Sequence, residues 1–339
     1  MVWLKFLVCV VIILFAGMKL ARYSDIIAEK TGLGRMWIGL VLVAGVTSMP
    51  ELVTGVSAAA LVKIPDLTFG TILGSCFFNL SIIALLDIMH RRTPILSEAR
   101  KSHILSGWLG ILLLIIVGVS VFAGERLSGA ALGWIGLPSI IILVVYLFGA
   151  RLIFTKERRQ RVDTFPEEYT LYENVSLKTV YPKFALTAIA VIGTGIWLSY
   201  VGDEICITCN LSASFVGSLF LAITTSLPEL VVAITAVRIG AIDMAVADIF
   251  GANMLDIVGL TLADVFYTGG PIHLLSRSLV SGVHIITALI AAVMTLVVIL
   301  GLRFQRQKKL FVVVSWYGPL LIGLYILGAY VLFNSGIAA

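Results

Sequence analysis

Ten apolar runs, each close to the roughly 20 residues that carry a helix across hydrocarbon, dominate this chain. They cover 2–21, 36–61, 66–88, 103–122, 130–150, 184–201, 212–237, 243–265, 278–302 and 311–334, five on each side of the polar segment 151–183. About a quarter of a soluble domain is charged; here 13% is charged and 60% is hydrophobic. A backbone in lipid has to satisfy its own hydrogen bonds, so the runs read as helices and the chain as an all-α membrane protein. The first run, from Val2, lacks a clear small-x-small cleavage site and reads as a retained span rather than a signal peptide.

The basic residues orient these spans. Of the 24 lysines and arginines only Lys5, Lys63, Arg126 and Arg277 lie on the same side as the termini. The positive side faces the cytoplasm, which places both termini outside, the segment 151–183 inside, and the Asn174-Val175-Ser176 sequon out of reach of glycosylation. The expected location is the cell (plasma) membrane. The net charge of +5 sits in loops between spans, so it speaks for orientation in a bilayer and against a nucleic-acid partner. Cys9 and Cys76 lie within apolar runs, and Cys206-x-x-Cys209 has no second pair or nearby histidine to complete a zinc site. Three divisions follow: a first five-span repeat over 1–150, a linker over 151–183, and a second five-span repeat over 184–339.

One stretch occurs in both halves. Residues 33–53 read LGRMWIGLVLVAGVTSMPELV and residues 211–231 read LSASFVGSLFLAITTSLPELV, identical at nine of 21 positions with a displacement of 178. Because each repeat has an odd number of spans, the second enters the membrane from the opposite face, giving inverted repeats, a transporter architecture. Pro50 and Pro228 lack a backbone N–H, which predicts broken second and seventh helices and orphaned carbonyls at Val46 and Thr224. Such breaks persist in a membrane where the backbone lines a polar cavity. The C-terminal carbonyls of each first half-helix suit a cation there.

Immediately after each break stands a carboxylate, Glu51 or Glu229. An ionised group near the bilayer centre costs at least about 2.5 kcal/mol and usually faces a partner or a water-filled path. A plainer account is a capping box, Ser48-x-x-Glu51 and Ser226-x-x-Glu229, closing the second half-helix. Two copies at matching positions, both deep in apolar sequence, favour two acids that face each other. The following span adds Ser75 and Asn79, one turn apart on one helix face, matched at a displacement of 177 by Ala252 and Asp256. Gly70, Gly74 and Gly251 leave room for close packing, and Asp248, two turns before Asp256, reads either as an access-path or as an interfacial residue.

The paired motifs T-S-x-P-E-L and G-[SA]-x-x-x-[ND], in that order and twice, resemble the alpha repeats of the cation/calcium antiporter superfamily, in particular the sodium/calcium exchangers. The resemblance implies ten transmembrane helices in two inverted five-helix repeats, with ions held at the midplane. It implies calcium on Glu51 and Glu229, helped by backbone oxygens at Thr47 and Thr225. It also implies sodium on the hydroxyls of Ser48, Ser75 and Ser226 with the carbonyls of Ala44 and Ala222. Asn79 and Asp256 fall on the central site, and Asn79 is more similar to the potassium-independent kind. In three places the chain departs from the pattern: Ala252 replaces a serine that resembles an outer sodium ligand, Val46 and Thr224 replace a glycine, and Cys76 replaces an asparagine.

The residues themselves point the same way. Two carboxylates with hydroxyl and carbonyl oxygens make a hard-oxygen site suited to calcium, which tolerates irregular coordination. One calcium ion or several monovalent ions can neutralise such a site, but not both together, and that competition is antiport. The expectation is exchange of Ca2+ for Na+ without a bound cofactor, with a proton or another cation as the alternative counter-ion. Its partners are then the lipid bilayer and inorganic cations. An intramembrane enzyme would need acid–base or nucleophilic spacing, yet His90, His103, His273 and His284 all fall at or near span ends. A channel has no need of paired broken helices.

Overall fold

The computed structural model describes residues 1–31, 45–90, 93–127, 129–161, 175–276, 278–305 and 314–337. These form an integral membrane protein of packed helices: α1 (Val2–Thr31), α2 (Met49–Ala60), α3 (Pro65–Met89), the short α4 (Ile95–Glu98), α5 (His103–Ala123) and α6 (Leu137–Arg161). The chain continues through α7 (Leu177–Cys209), α8 (Ala213–Val216), a π turn at Gly217–Leu221, α9 (Ala222–Thr225) and α10 (Leu227–Arg238). It ends with α11 (Ile242–Phe266), α12 (Val283–Phe304) and α13 (Tyr317–Ile337). Among the described residues eight helices are long and apolar enough to cross a membrane, and the pair Ala213–Thr225 and Leu227–Arg238, bent by 44°, is a broken span or a re-entrant loop that brings the number to at most nine. The first part of the expected span 36–61, including Ala44, lies outside the described residues; α2 is its second part.

Several boundaries differ from those expected. The first span runs on to Thr31, and the sixth covers Leu177–Cys209, its helix passing through Pro182. Both ends of the expected linker 151–183 are thereby helical. The fifth span starts at Leu137 rather than 130, since residues 131–136 form a two-residue hairpin, β1 (Ala131–Leu132) against β2 (Ile135–Gly136), turning at Gly133 with φ +66°.

Burial sorts the helices into an inner and an outer set. In α3 and α11, 72% of the spanning window is buried, against 28% in α1 and in α6 and 22% in α13. Exposed Leu, Ile, Phe and Trp side chains on the outer set face lipid. The two inner helices meet at residues displaced by 177: Asn253 Nδ2 donates to the Cys76 carbonyl at 3.0 Å, and Cys76 Sγ donates to the Asn253 carbonyl at 3.6 Å. Gly74 permits α3 to lie on the seventh span, where a Cβ would come within 2.4 Å of Ser218 Cα.

Four aspartates at the ends of α3 and α11 fasten each helix to the other half of the chain. Asp66 accepts from Ser281 N at 2.7 Å, from His284 Nε2 at 2.9 Å and from Ser214 Oγ. Its counterpart Asp243 accepts from Arg100 N at 2.7 Å and His103 Nε2 at 3.1 Å. At the far ends, Asp87 accepts from Ile95 N at 3.0 Å, Ser315 N and Oγ at 2.8 Å and Tyr317 Oη at 2.7 Å. Asp264 accepts from Ile272 N at 2.6 Å, Gly136 N at 2.8 Å and Ser139 Oγ. The loop histidine His273 is buried, with Ser120 Oγ 3.1 Å from Nδ1; burial pushes its pKa down from 6.5 to about 4, against the opposing pull of Asp264.

Asp264→Ala removes the acceptor for two buried N–H groups, so it should destabilise the protein by about 3 kcal/mol, read as a lowered melting temperature in detergent; an unshifted melt would remove this fastening role. Protonation favours the unfolded chain when the folded pKa is the lower one. His273 should therefore cost stability as pH falls from 6.5 towards about 4, and melting curves that keep the same slope in His273→Asn would rule it out as the source.

Candidate functional site

The two helix breaks have the same local shape. Ser48 sits at φ −77°, ψ 4° ahead of α2, and Ser226 at φ −87°, ψ 6° ahead of α10. Pro50 and Pro228 follow within the first turn of each restarted helix, where the missing N–H would have had no intrahelical partner in any case. Before the second break the helix loosens into the π turn, a distortion that recurs at functional sites.

Neither serine caps its helix through its side chain, so the capping box does not form. Ser226 Oγ instead donates to Glu51 Oε1 of the other half at 2.8 Å. Glu51 Oε2, both oxygens of Glu229 and Ser48 Oγ are buried without a hydrogen-bond partner among the described residues. Two acids, one from each half, are thus fully buried, and a hydroxyl of the second half holds Glu51 alone.

α3 and α11 add the remaining groups. Ser75 Oγ, both amide atoms of Asn79 and both oxygens of Asp256 are likewise buried and unpartnered among the described residues. α11, which carries Asp248 and Asp256, packs against both α2, which carries Glu51, and α10, which carries Glu229. Thr47 and Thr225 are buried; Thr225 Oγ1 donates to the carbonyls of Leu221 at 3.0 Å and Ala222 at 3.2 Å. The Ala222 carbonyl also takes Ser226 N at 3.0 Å. Ala44 lies outside the described residues. Reading the sequence did not single out Ser218, whose unpartnered hydroxyl sits on the π turn, or Asn253, which bridges the inner helices. A π turn leaves no signal in a run such as GSLFL, and nothing local marks Asn253 as a bridge to a helix 177 residues away.

More than nine in ten buried polar groups in proteins find a partner. A cluster of free oxygens, with no lysine or arginine buried among the described residues, is a place where a positive charge would be stabilised. Among the described residues no three acidic, histidine or cysteine side chains come close enough to chelate an ion by themselves. A cation here would draw on carboxylates together with hydroxyl, amide and backbone oxygens, the ligand set of a hard ion.

Residues 1–152 and 181–334 match the family described as sodium/calcium exchanger protein. The chain is 29% identical over 292 residues to the inner membrane protein YrbG of Escherichia coli (strain K12), covering 85% of this chain and 86% of that one. In structure it is similar to the sodium-calcium exchanger NCX_Mj soaked with 2.5 mM Na+ and 0.1 mM Sr2+, with a TM-score of 0.61 and 20% identity over 97% of this chain and 99% of that one. It is also similar to the H+/Ca2+ exchanger CAX, with a TM-score of 0.74 and 14% identity over 99% and 86%. At such identities the two structures speak for the fold, and both are ion exchangers rather than enzymes.

Since Ser48 makes no cap, Ser48→Ala should spare the roughly 1 kcal/mol that losing an N-cap serine usually costs. A melting temperature equal to or above that of the parent is expected in ion-free detergent, and a drop of several degrees would reinstate the cap.

Proposed function

The chain belongs to the sodium/calcium exchanger family, and from that premise we propose that it is a secondary active antiporter, exchanging Ca2+ for monovalent cations by alternating access. The observation that carries this reading is the pair Glu51 and Glu229, fully buried and drawn from opposite halves, with Ser226 of the second half donating to Glu51 of the first. Calcium binds between them, with oxygens from Thr47, Thr225, Asn79 and Asp256. Sodium is the first counter-ion, on Ser48, Ser75 and Ser226 with the carbonyls of Ala44 and Ala222. Ala252 supplies no hydroxyl at the position matching Ser75, so a proton is the second reading for the counter-ion.

In this scheme ten helices form two inverted five-helix repeats, 1–150 and 184–339, joined by a cytoplasmic linker over 151–183, in the cell membrane with both termini outside. Supporting the inversion are the aspartates at matching positions of α3 and α11, each of which bonds to the opposite half. The enzyme alternative falls with the family and with the histidines. His103 and His284 pair with Asp243 and Asp66, His90 with Glu98, and His273 with Ser120, so none of them lies free beside the buried acids.

Transport requires the acids to be neutralised by calcium and by the counter-ion in turn. Glu51→Gln and Glu229→Gln should each abolish uptake of radioactive calcium into proteoliposomes under opposed sodium, potassium or proton gradients, while the protein still folds. Full uptake by either variant would exclude the site. Ala252→Ser should strengthen the dependence on sodium, and an unchanged sodium response would set aside the assignment of an outer site on that helix.

A further inference from the structure

α11 carries a further buried acid, beyond Glu51, Glu229 and Asp256, that the exchange scheme leaves unused. Asp248 is 5% exposed, its Oδ2 has no hydrogen-bond partner among the described residues, and α11, which carries it, packs against α10, which carries Glu229. The matching residue of the first half, displaced by 177, is Thr71, whose hydroxyl donates to the Leu67 carbonyl at 2.8 Å and is thereby satisfied within its own helix. The second half thus holds a free carboxylate where the first holds a closed hydroxyl.

An aspartate kept for stability collects donors, as Asp66, Asp87, Asp243 and Asp264 do. An interfacial aspartate stays in water. Asp248 does neither, and among the described residues no buried lysine or arginine offsets it. It stands about 9 Å along α11 from Ile242, at 1.5 Å per residue, and Asp256 follows about 12 Å further on. Asp248, Ala252 and Asp256 succeed one another at four-residue intervals on one helix face, so the apolar Ala252 separates two free acids. A cation coming from the turn at 239–241, beside which α10 ends and α11 begins, meets Asp248 before it meets Asp256.

We propose that Asp248 and Glu229 form a second cation position beside the central one, on the side of the 239–241 turn, holding a hard cation by carboxylate oxygens. The role of Glu229 in it rests on the exchange reading. With this position the second half contributes three acids, Glu229, Asp248 and Asp256, against Glu51 of the first, and the chain recovers through Asp248 a ligand that Ala252 does not provide.

Equilibrium binding of radioactive calcium, and separately of radioactive sodium, to the purified full-length protein tests this without transport. Asp248→Asn should weaken binding of one of the two ions at least about tenfold, a difference of about 1.4 kcal/mol, while the ion-free melting temperature stays that of the parent. A loss in the calcium arm assigns a divalent occupant, and a loss in the sodium arm a monovalent one. Unchanged affinity for both ions overturns the proposal. Should the asparagine variant fail to fold, Asp248→Glu and Asp248→Thr decide: the first should keep the binding and the second lose it, and equal affinities in the two overturn the proposal as well. Absence of calcium exchange in parent proteoliposomes would count against the exchange reading alone, since the binding arms report on Asp248 directly.

Discussion

Burial of acids without basic partners is the constraint from which the rest follows. Glu51, Glu229 and Asp256 are wholly inside the protein, and no lysine or arginine is buried among the described residues. In hydrocarbon such groups cost at least about 2.5 kcal/mol each when ionised. They therefore need a jacket of helices against lipid, and the two inner helices, α3 and α11, are the most buried of the spans. They also need dipoles nearby. The restarted helices α2 and α10 bring their N-termini to Glu51 and Glu229, each in a first turn, where a negative charge is favoured.

Aspartate appears in this molecule in two opposite conditions. Asp66, Asp87, Asp243 and Asp264 each collect at least two hydrogen bonds and tie an end of an inner helix to the other half. Asp256 collects none, and Asp248 Oδ2 is likewise unpartnered among the described residues. Burial alone does not separate the two groups, since Asp87, Asp264 and Asp256 are all fully buried. Hydrogen-bond accounting does. The fastened acids hold α3 and α11 at fixed positions, and rigid inner helices keep the free acids from finding donors of their own.

This division decides how much was legible in the sequence. The spans announced themselves through hydropathy, and the site through a motif that recurs at matching depth in two halves; a lone T-S-x-P-E-L would have read as a capping box. Only geometry removed that alternative, because Ser226 Oγ could accept from its own helix or donate to Glu51, and its neighbours along the chain are the same in both cases. The fastening aspartates were silent for a similar reason: Asp87 and its partners Ser315 and Tyr317 lie 228 and 230 residues apart, and no local pattern records such pairs. Span ends were misjudged where polar residues continue a helix into water, as at Leu177–Cys209.

The two Ser–Glu pairs across the breaks, alike in sequence, differ in structure. Ser226 reaches Glu51, whereas Ser48 Oγ and both oxygens of Glu229 are without a partner among the described residues. A serine hydroxyl has one proton and two lone pairs. Ser226 can therefore hold Glu51 with its proton and still offer a lone pair to a cation, so this contact orients the acid without competing for the ion. Within the proposed exchange cycle, matched halves that hold one such contact and leave the other open are in unlike states. That asymmetry is what alternating access asks of a symmetric sequence: the acid that is oriented and the acid that is free are chemically the same, and what tells them apart is which half has closed around them.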